Sequence, residues 1–523
     1  MRSFISIGPG LLFLPAYFLI TIFIGWVSGR RRASSAQYLN ATHALSLPIV
    51  VLAYIASNCG ALEIVGLSAM AAHYGALAFH FYLIGAIPAM IFLAVWMMPL
   101  YQRNNVRSVP EYLLLRYGPG MRLLNACVTA CMLLLLAGIS LYAVGQMLTL
   151  TMGFTFEWGI VLCSAIVLIY VLSGGIRATI HNEVFQLAVM IAGLAPLAIR
   201  CIQASHHAPL PIDRLHLWQG MLLISPHTRM DVFGVVIGLG FVLSFGYWCT
   251  DFVMMQRAFA ARTTDEACQV PLWAGFGKIA FSMLVVIPGL AAMRLLPDTG
   301  QQYNRALPRM MLLLYEPWLL GLGLTALAAS LMSSLASNIS AFAALWTEDI
   351  YRVVLRPGSS DAHYLRVARA AMIVAMAISL LSSYLNFLFR DLMEHIQLIF
   401  SVFGAPFWAV FLLGMFSRRT TERGAILGFS IGAACSFTHS VAVSRGLLHY
   451  GSVMTANFYA AIYAFCISMT FGWLLSSPRH EAALDHIERV RLNAKAVPRV
   501  SKTIWVLSGI LLASAIAFNF LWY

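Results

Sequence analysis

Long apolar segments separated by short polar ones follow one another along the whole chain. A helix needs about 20 apolar residues to cross the roughly 30 Å hydrocarbon core of a bilayer. The pattern therefore predicts an all-α polytopic membrane protein. About 14 transmembrane helices are expected, at residues 9–28, 46–70, 76–100, 123–150, 157–175, 181–202, 232–255, 271–295, 317–344, 366–388, 395–416, 424–444, 454–476 and 503–522.

Composition agrees with this pattern. Hydrophobic residues make up 60% of the 523-residue chain and charged residues only 10%, whereas soluble domains carry about 25% charged residues. A set of soluble domains, a nucleic-acid-binding protein and a disulfide scaffold are excluded. The nine cysteines are scattered without a CxxC pair, so they are interpreted as small core residues. No P-loop motif is present, which disfavours ATP-driven pumping by this chain alone.

The lysines and arginines predict the orientation in the membrane. With an even number of spans, both termini lie on the same side. If that side is outside, inner segments hold 23 of the 33 cationic residues and outer segments hold 9, with Lys278 left inside a span. The positive-inside rule therefore predicts an N-out, C-out protein. We expect a multi-pass protein of the plasma membrane, in a bacterium the inner membrane. No cleavage signal is recognised, so the first segment is expected to be a retained helix.

Several polar residues stand inside predicted spans, where they are costly and commonly functional. Glu63 and Lys278 lie deep, which favours a functional role, and they are expected to neutralise each other in an empty cavity. Glu183 and Asp251 lie near the inner surface. For these two, a carboxylate that snorkels or pairs with a loop arginine is an equally good interpretation. Gln397 is the fifth such residue, and His80, between two aromatic residues, is either a core or a functional histidine.

Two of the predicted spans are interrupted by small and polar residues, at Ser57–Gly60 and at Ser244–Gly246. A broken helix frees backbone groups, which lipid tolerates only where they line a cavity. Paired interruptions in two halves of a chain indicate a transporter binding site. The interpretation is a leading helix at 9–28, two inverted five-helix repeats at 46–202 and 232–416, and three C-terminal helices at 424–522.

Hydroxyl groups cluster in the ninth segment, at Ser330, Ser333, Ser334 and Ser337. Together with carbonyls from a broken helix, they suit a hard monovalent cation, which prefers oxygen ligands. A close-packing face of small residues is the alternative interpretation. Spacing alone does not decide between the two.

Four segments also carry a family resemblance. They are Arg107–Gly118, Gly174–Gln186, Tyr247–Arg257 and Ser330–Tyr351. In this order and spacing they resemble the sodium:solute symporter family, especially its sodium/glucose cotransporter branch, over about residues 9–430. The resemblance implies a LeuT-like core and secondary transport in which sodium entry drives uptake of a small solute.

The resemblance also implies a sodium site. Its ligands would be the carbonyls of Ala56, Cys59 and Ser330 and the hydroxyls of Ser333 and Ser334. This implied site joins the interrupted second span to the serine cluster, and so favours cation ligation over packing for the serines.

For the solute, Lys278, Gln397 and Tyr247 match residues that bind sugar in relatives, with the tyrosine closing the inner gate. His80 and Ser244 stand where those relatives have glutamate and asparagine, and Glu63 where they have glutamine or histidine. We expect a sugar or sugar-like polyol, with an amino acid, carboxylate or sialic acid as alternatives. The expected coupling and gating residues are Glu183, Tyr247 and Asp251.

Two alternative functions belong to other classes of protein. A membrane-embedded enzyme is suggested only by a G-x-S-x-G motif at 428–432, which lies in an apolar helix without a nearby His/Asp pair and is interpreted as packing. A solute-binding sensor without net transport is the other. The expected partners are a small-molecule solute, Na+ and the lipid bilayer, with no nucleic acid and no obligate protein partner.

Overall fold

The computed structural model describes residues 10, 12–29, 35–40, 45–106, 108–205, 212–218, 221–225, 229–296, 302–389, 391–476 and 500–522. Arg107 and the basic segments 30–32 and 479–499, used above for the motif and the orientation, lie outside this part. The helices of the described part are α1 Phe13–Gly29, α2 Ser35–Asn40, α3 Leu47–Asn58, α4 Ala61–Phe79, α5 Phe81–Arg103, α6 Val109–Arg116, α7 Pro119–Met152, α8 Phe156–Ser205, α9 Ile212–Leu215, α10 Gly234–Thr250, α11 Phe252–Ala258, α12 Thr264–Leu295, α13 Ala306–Leu314, α14 Pro317–Leu355, α15 Asp361–Leu388, α16 Leu392–Phe416, α17 Glu422–Ser444, α18 Val453–Leu474 and α19 Lys502–Leu521.

The helices confirm an all-α polytopic membrane protein. Within the described residues, eleven are long and apolar enough to cross a bilayer, or twelve if the bent pair α10–α11 forms one span. The apolar helices α1 and α3 are shorter, with 17 and 12 residues. The described residues of the predicted segments are mostly helical, but the helix boundaries differ in places from the segment boundaries.

Helix α8 joins two predicted spans, 157–175 and 181–202. As one α-helix its 50 residues would extend about 75 Å, more than twice the bilayer core. The backbone is interrupted at Gly175, where φ is 58°. A side chain there would be strained, and its Cβ would overlap the carbonyl of Tyr38. Glycine therefore lets two helical arms meet without a loop.

The second predicted span is interrupted as expected. Helix α3 ends at Asn58, and the backbone leaves helical geometry at Cys59 (ψ 56°) and Gly60 (φ −107°, ψ −147°). The first part of α4, Ala61–Leu67, is then wound as a π-helix, a form often found at functional sites.

The interruption predicted at Ser244–Gly246 is wrong. There the chain only passes from π-helical to α-helical winding, with Ser244 and Phe245 both in helical conformation. The break comes at Asp251, where α10 and α11 meet at an angle of 51°. Asp251 is extended (ψ 129°), and its carboxylate accepts a hydrogen bond from the Met254 amide at 3.0 Å. An aspartate is a strong helix N-cap, so the new helix starts at Asp251 rather than at the small residues before it.

Residues 1–79, 133–219 and 277–393 form one compact unit. In this unit α8 packs against α14, the more deeply buried of the two. A side chain at Gly193 of α8 would overlap Ala326 of α14. Small residues at the crossing let the two backbones approach closely, as in many membrane proteins.

Residues 80–132, 220–276 and 394–523 form the second compact unit. Here α17 packs against α18 through Gly424, Gly428 and Gly432, where any side chain would overlap residues near Ser468 or Gly472. The G-x-S-x-G motif therefore lies on a packing face. Its serine, Ser430, is exposed and donates to the Ile426 carbonyl at 2.8 Å.

Candidate ion and solute site

The break between α3 and α4 faces the serine cluster of α14. The Ser330 hydroxyl donates to the Cys59 carbonyl at 2.6 Å, and the Ser333 hydroxyl donates to the Ala56 carbonyl at 3.3 Å. All four residues are buried. At the break, hydroxyls of α14 thus lie beside the Cys59 carbonyl and beside the Ala56 carbonyl, which also accepts a hydrogen bond from the Cys59 amide at 3.1 Å.

Close approach of the two elements depends on Gly60. A Cβ on Gly60 would overlap the side chain of Ser334. Ser334 also accepts a hydrogen bond from Ser140 of α7 at 3.4 Å. The structure therefore places Ser334 against the break as well, although it bonds to neither carbonyl.

These groups have the chemistry of a site for a hard cation. All five predicted ligand groups are neutral oxygens, which hard cations prefer. Within the described residues, no group of three or more His, Cys, Asp or Glu is arranged to hold a metal ion. A cation at this position would be held by carbonyls and hydroxyls rather than by a cluster of charged ligands.

Beside the break, Lys278 of α12 forms a buried ion pair with Glu63 of α4. The distance from Lys278 Nζ to Glu63 Oε1 is 2.6 Å, and the two side chains are 1% and 2% exposed. The ammonium also donates to Asn58 Oδ1 at 2.6 Å and to Cys59 Sγ at 3.3 Å. The mutual neutralisation expected from the sequence is present, and the three protons of the ammonium each have a partner.

Asn58 and the Cys59 thiol were not predicted as members of this cluster. The thiol links the two parts of the cluster, because it accepts from Lys278 and donates to Glu63 Oε2 at 3.2 Å. The one signal in the sequence was their position in the helix interruption, which marked the backbone but not the side chains. Pairing between residues about 220 positions apart becomes visible only in the folded chain.

Glu183 lies on α8 and is fully buried within the protein, so its carboxylate does not reach solvent by snorkelling. The Ser337 hydroxyl lies 2.6 Å from Glu183 Oε1 and 2.8 Å from the Ser333 carbonyl oxygen, and its one proton can be donated to either acceptor. The structure therefore connects Glu183 to the serine cluster, one turn beyond Ser333. Ser337 appeared in the sequence pattern but had no assigned role.

The remaining predicted solute residues belong to the second unit. Ser244 and Tyr247 lie one turn apart on α10, and Gln397 lies on α16. Phe400, one turn after Gln397, packs edge-on against Tyr247 with ring centroids 5.2 Å apart. These three residues are thus grouped.

His80 is fully buried at the junction of α4 and α5. Gly85, early in α5, lies directly against the Ser244 hydroxyl, since a Cβ there would overlap it. The α5 segment that follows His80 is thereby packed on α10. Asp251, the predicted gating residue, serves as the N-cap of α11 at the bend.

The chain matches one family model and is similar to several known transport proteins. Residues 38–432 match the family model of the sodium:solute symporter family. The sodium/mannose cotransporter of Bos taurus is 28% identical over 398 residues, which cover 67% of this chain and 65% of the relative, just under two thirds of its length. The sodium/glucose cotransporter of Vibrio parahaemolyticus is 26% identical over 452 residues, covering 79% of this chain and 81% of the relative.

Two solved structures share the fold. A substrate-bound, outward-open Na+-coupled sialic acid symporter superposes with a TM-score of 0.76 at 18% identity, over 90% of this chain and 99% of that protein. Mhp1, a nucleobase-cation-symport-1 family transporter in a closed conformation, superposes with a TM-score of 0.53 at 13% identity, over 92% and 99% of the two chains. At these identities the likeness shows the fold alone. The family match supports the predicted class, a transporter rather than an enzyme.

Proposed function

The chain belongs to the sodium:solute symporter family, and from this premise we propose that it is a sodium-coupled symporter that imports a small polar solute by alternating access. The solute is a sugar or sugar-like polyol in this proposal. An amino acid, a carboxylate or a sialic acid is the alternative. The observation that carries the proposal is the pairing of the α3–α4 break with the serines of α14, beside a buried and mutually neutralised Glu63–Lys278 pair.

Sodium is bound, in this proposal, by the carbonyls of Ala56, Cys59 and Ser330 and by the hydroxyls of Ser333 and Ser334. The Ser333 hydroxyl, which donates to the Ala56 carbonyl in the ion-free protein, would turn and offer a lone pair to the ion. Sodium then bridges α14 and the break through a shared set of ligands. The ion holds the two elements together more tightly than the hydroxyls do alone.

This arrangement suggests how the ion and the solute are coupled. The break that offers the ion its carbonyls is also in contact with the charged pair. Glu63 follows the break in α4 and accepts a hydrogen bond from the Cys59 thiol, and Lys278 donates to the same thiol. Sodium that fixes the break also fixes Glu63, so one conformation with a formed solute site is favoured. Lys278 and Gln397 would donate to solute hydroxyls while Tyr247 covers the site from the inner side. Glu183 and Asp251 would act in coupling and at the inner bend.

The proposal includes an architecture. Fourteen spans cross the membrane with both termini outside, and two inverted five-helix repeats at 46–202 and 232–416 form the LeuT-like core. The helices at 9–28 and 424–522 flank this core. The two arms of α8, each long enough to cross a bilayer, support counting it as two spans. The protein is placed in the plasma membrane, with solute, Na+ and lipid as its partners.

The test is sodium-driven uptake in proteoliposomes, measured with labelled sugars and polyols, amino acids and carboxylates. We expect one class to accumulate only under an inward sodium gradient. The double variant Ser333→Ala/Ser334→Ala should raise the half-saturating sodium concentration about tenfold or more, because each lost ligand is worth about 1 kcal/mol. Ser430→Ala, which removes an exposed hydroxyl bonded only within its own helix, is the matched control.

Two outcomes would contradict the proposal. Undiminished sodium dependence in the double variant would reject the ion site while leaving transport intact. Saturable solute binding without any sodium-driven accumulation would favour a solute sensor instead.

A further inference from the structure

A cavity of about 310 Å³ opens in the first compact unit, apart from the residues assigned above to solute and sodium. Its walls come from α4, α7, α13 and the turn before it, α14, Phe389 after α15, and Leu392 at the start of α16. None of the predicted solute residues lines it. The volume is in the range of small-molecule sites, large enough for a monosaccharide.

The walls combine one charge with several amides. Arg305, half-buried, is the one charged side chain among the described residues that line the cavity. The other polar lining residues are Gln146, Gln302, Asn304 and Tyr142. The remaining lining residues are apolar. A guanidinium with neighbouring amides and an apolar wall suits an organic anion that also carries hydroxyl groups.

Arg305 is held in position within this wall. Its guanidinium donates to the amide oxygen of Gln146 at 3.2 Å, which leaves most of its five N–H donors for a ligand. The turn that carries it is fastened by Tyr303, whose ring stacks on His73 of α4 with centroids 4.3 Å apart and planes 9° from parallel. Within the described residues no carboxylate forms an ion pair with Arg305.

Lys278, the buried cation of the proposed solute site, differs from Arg305 because it already has a carboxylate partner. Lys278 is neutralised by Glu63 and its three protons are all engaged. A carboxylate that approached Lys278 would have to displace Glu63 from a buried pair. Arg305 is therefore the better partner for an anionic solute.

We propose that this cavity is a solute subsite that binds the carboxylate of a hydroxylated monocarboxylate, a sugar acid, through Arg305 and Gln146. The inference rests on the proposed function and specifies its solute as a sugar acid, which combines the hydroxyl groups of a sugar with the carboxylate named there as an alternative. Val65 and Leu331, which line the cavity, follow closely on Glu63 and directly on Ser330. The subsite shares α14 with the sodium site and includes α4, which begins at the break, so sodium should strengthen anion binding.

The experiment compares D-galacturonate with D-galactose, which differ by a carboxylate in place of a hydroxymethyl group. Binding to the purified full-length protein in nanodiscs is measured by calorimetry in sodium and in choline chloride. The wild-type protein should bind galacturonate at least about tenfold more tightly than galactose, the usual scale of a charge-assisted contact, and sodium should increase the difference. Arg305→Gln should abolish the preference and Arg305→Lys should retain part of it.

Arg294→Gln is the matched control, since it removes an exposed arginine of the same unit that does not line the cavity. It should leave the preference unchanged. Equal binding of the two sugars by the wild-type protein, or an equal preference in Arg305→Gln, would overturn the inference. Sodium-driven uptake of neutral sugars alone would overturn it while leaving the proposed function standing, and absence of sodium-driven uptake of every solute would reject the proposed function itself.

Discussion

Replacing Lys278 by methionine tests the buried pair directly. Methionine has a similar length, so the change removes the charge with little loss of volume. Glu63 would then keep only the hydrogen bond from the Cys59 thiol at 3.2 Å. A carboxylate that is 2% exposed cannot recover hydration in place of the lost ammonium.

The expected cost follows from these contacts. Breaking a buried ion pair by removing one partner typically destabilises a protein by about 3–5 kcal/mol. The double variant Glu63→Gln/Lys278→Met leaves no unpaired charge, and only the exchanged hydrogen bonds remain, at about 1–2 kcal/mol. The double change should therefore cost less than the single Lys278→Met change, with a coupling of at least about 2 kcal/mol.

The assay is equilibrium unfolding of the purified protein in mixed micelles with increasing SDS, for the wild type, both single variants and the double variant. Lys502→Met is the control, because Lys502 is exposed at the start of α19, and it should change the free energy of unfolding by less than about 0.5 kcal/mol. If the double variant costs as much as the two single variants together, the residues do not stabilise each other and the reasoning fails.

Three further predictions follow from single contacts. Gly60→Ala should weaken sodium activation of uptake several-fold, because its Cβ would push the break away from Ser334; unchanged sodium activation would contradict the close approach. Asp251→Ala should lower the melting temperature by the loss of an N-cap worth about 1 kcal/mol, and Asp251→Asn should retain most of it; equal losses would point to a role of the charge instead. Arg116→Lys should destabilise the protein by about 3 kcal/mol in thermal unfolding. The buried guanidinium donates to three backbone carbonyls at 2.7 to 3.2 Å, and one ammonium cannot reach all three together. An unchanged free energy of unfolding would mean that these three hydrogen bonds do not stabilise the protein.

The fold was predictable where it depends on hydropathy. The described residues of the apolar segments are mostly helical, because a backbone in lipid must satisfy its own hydrogen bonds. The interruption at Ser57–Gly60 was visible because small and polar residues are conspicuous in a long apolar run. The same criterion placed the second break at Ser244–Gly246, since glycine and serine tolerate helical winding as readily as they permit a break, and only Asp251 caps a new helix.

The site was predictable in part. Glu63 and Lys278 stood out because each is costly in a membrane interior. Their partners Asn58 and Cys59 did not, because uncharged polar side chains at a break are ordinary. The hydrogen bond between Glu183 and Ser337 joins residues 154 positions apart, and no periodicity in the sequence relates them.

The sequence by itself determined the membrane environment, the helical class and which polar residues inside the spans need a partner. Each of these follows from the free energy of transferring side chains and backbone from water to lipid. Tertiary structure alone decided which polar groups meet: that the carbonyls of Ala56 and Cys59 face serines of α14, that Lys278 is neutralised by Glu63, and that Arg305 is left to face a cavity. These pairings depend on how distant helices pack at small residues such as Gly60, and packing is a property of surfaces in contact rather than of the order of residues along a chain.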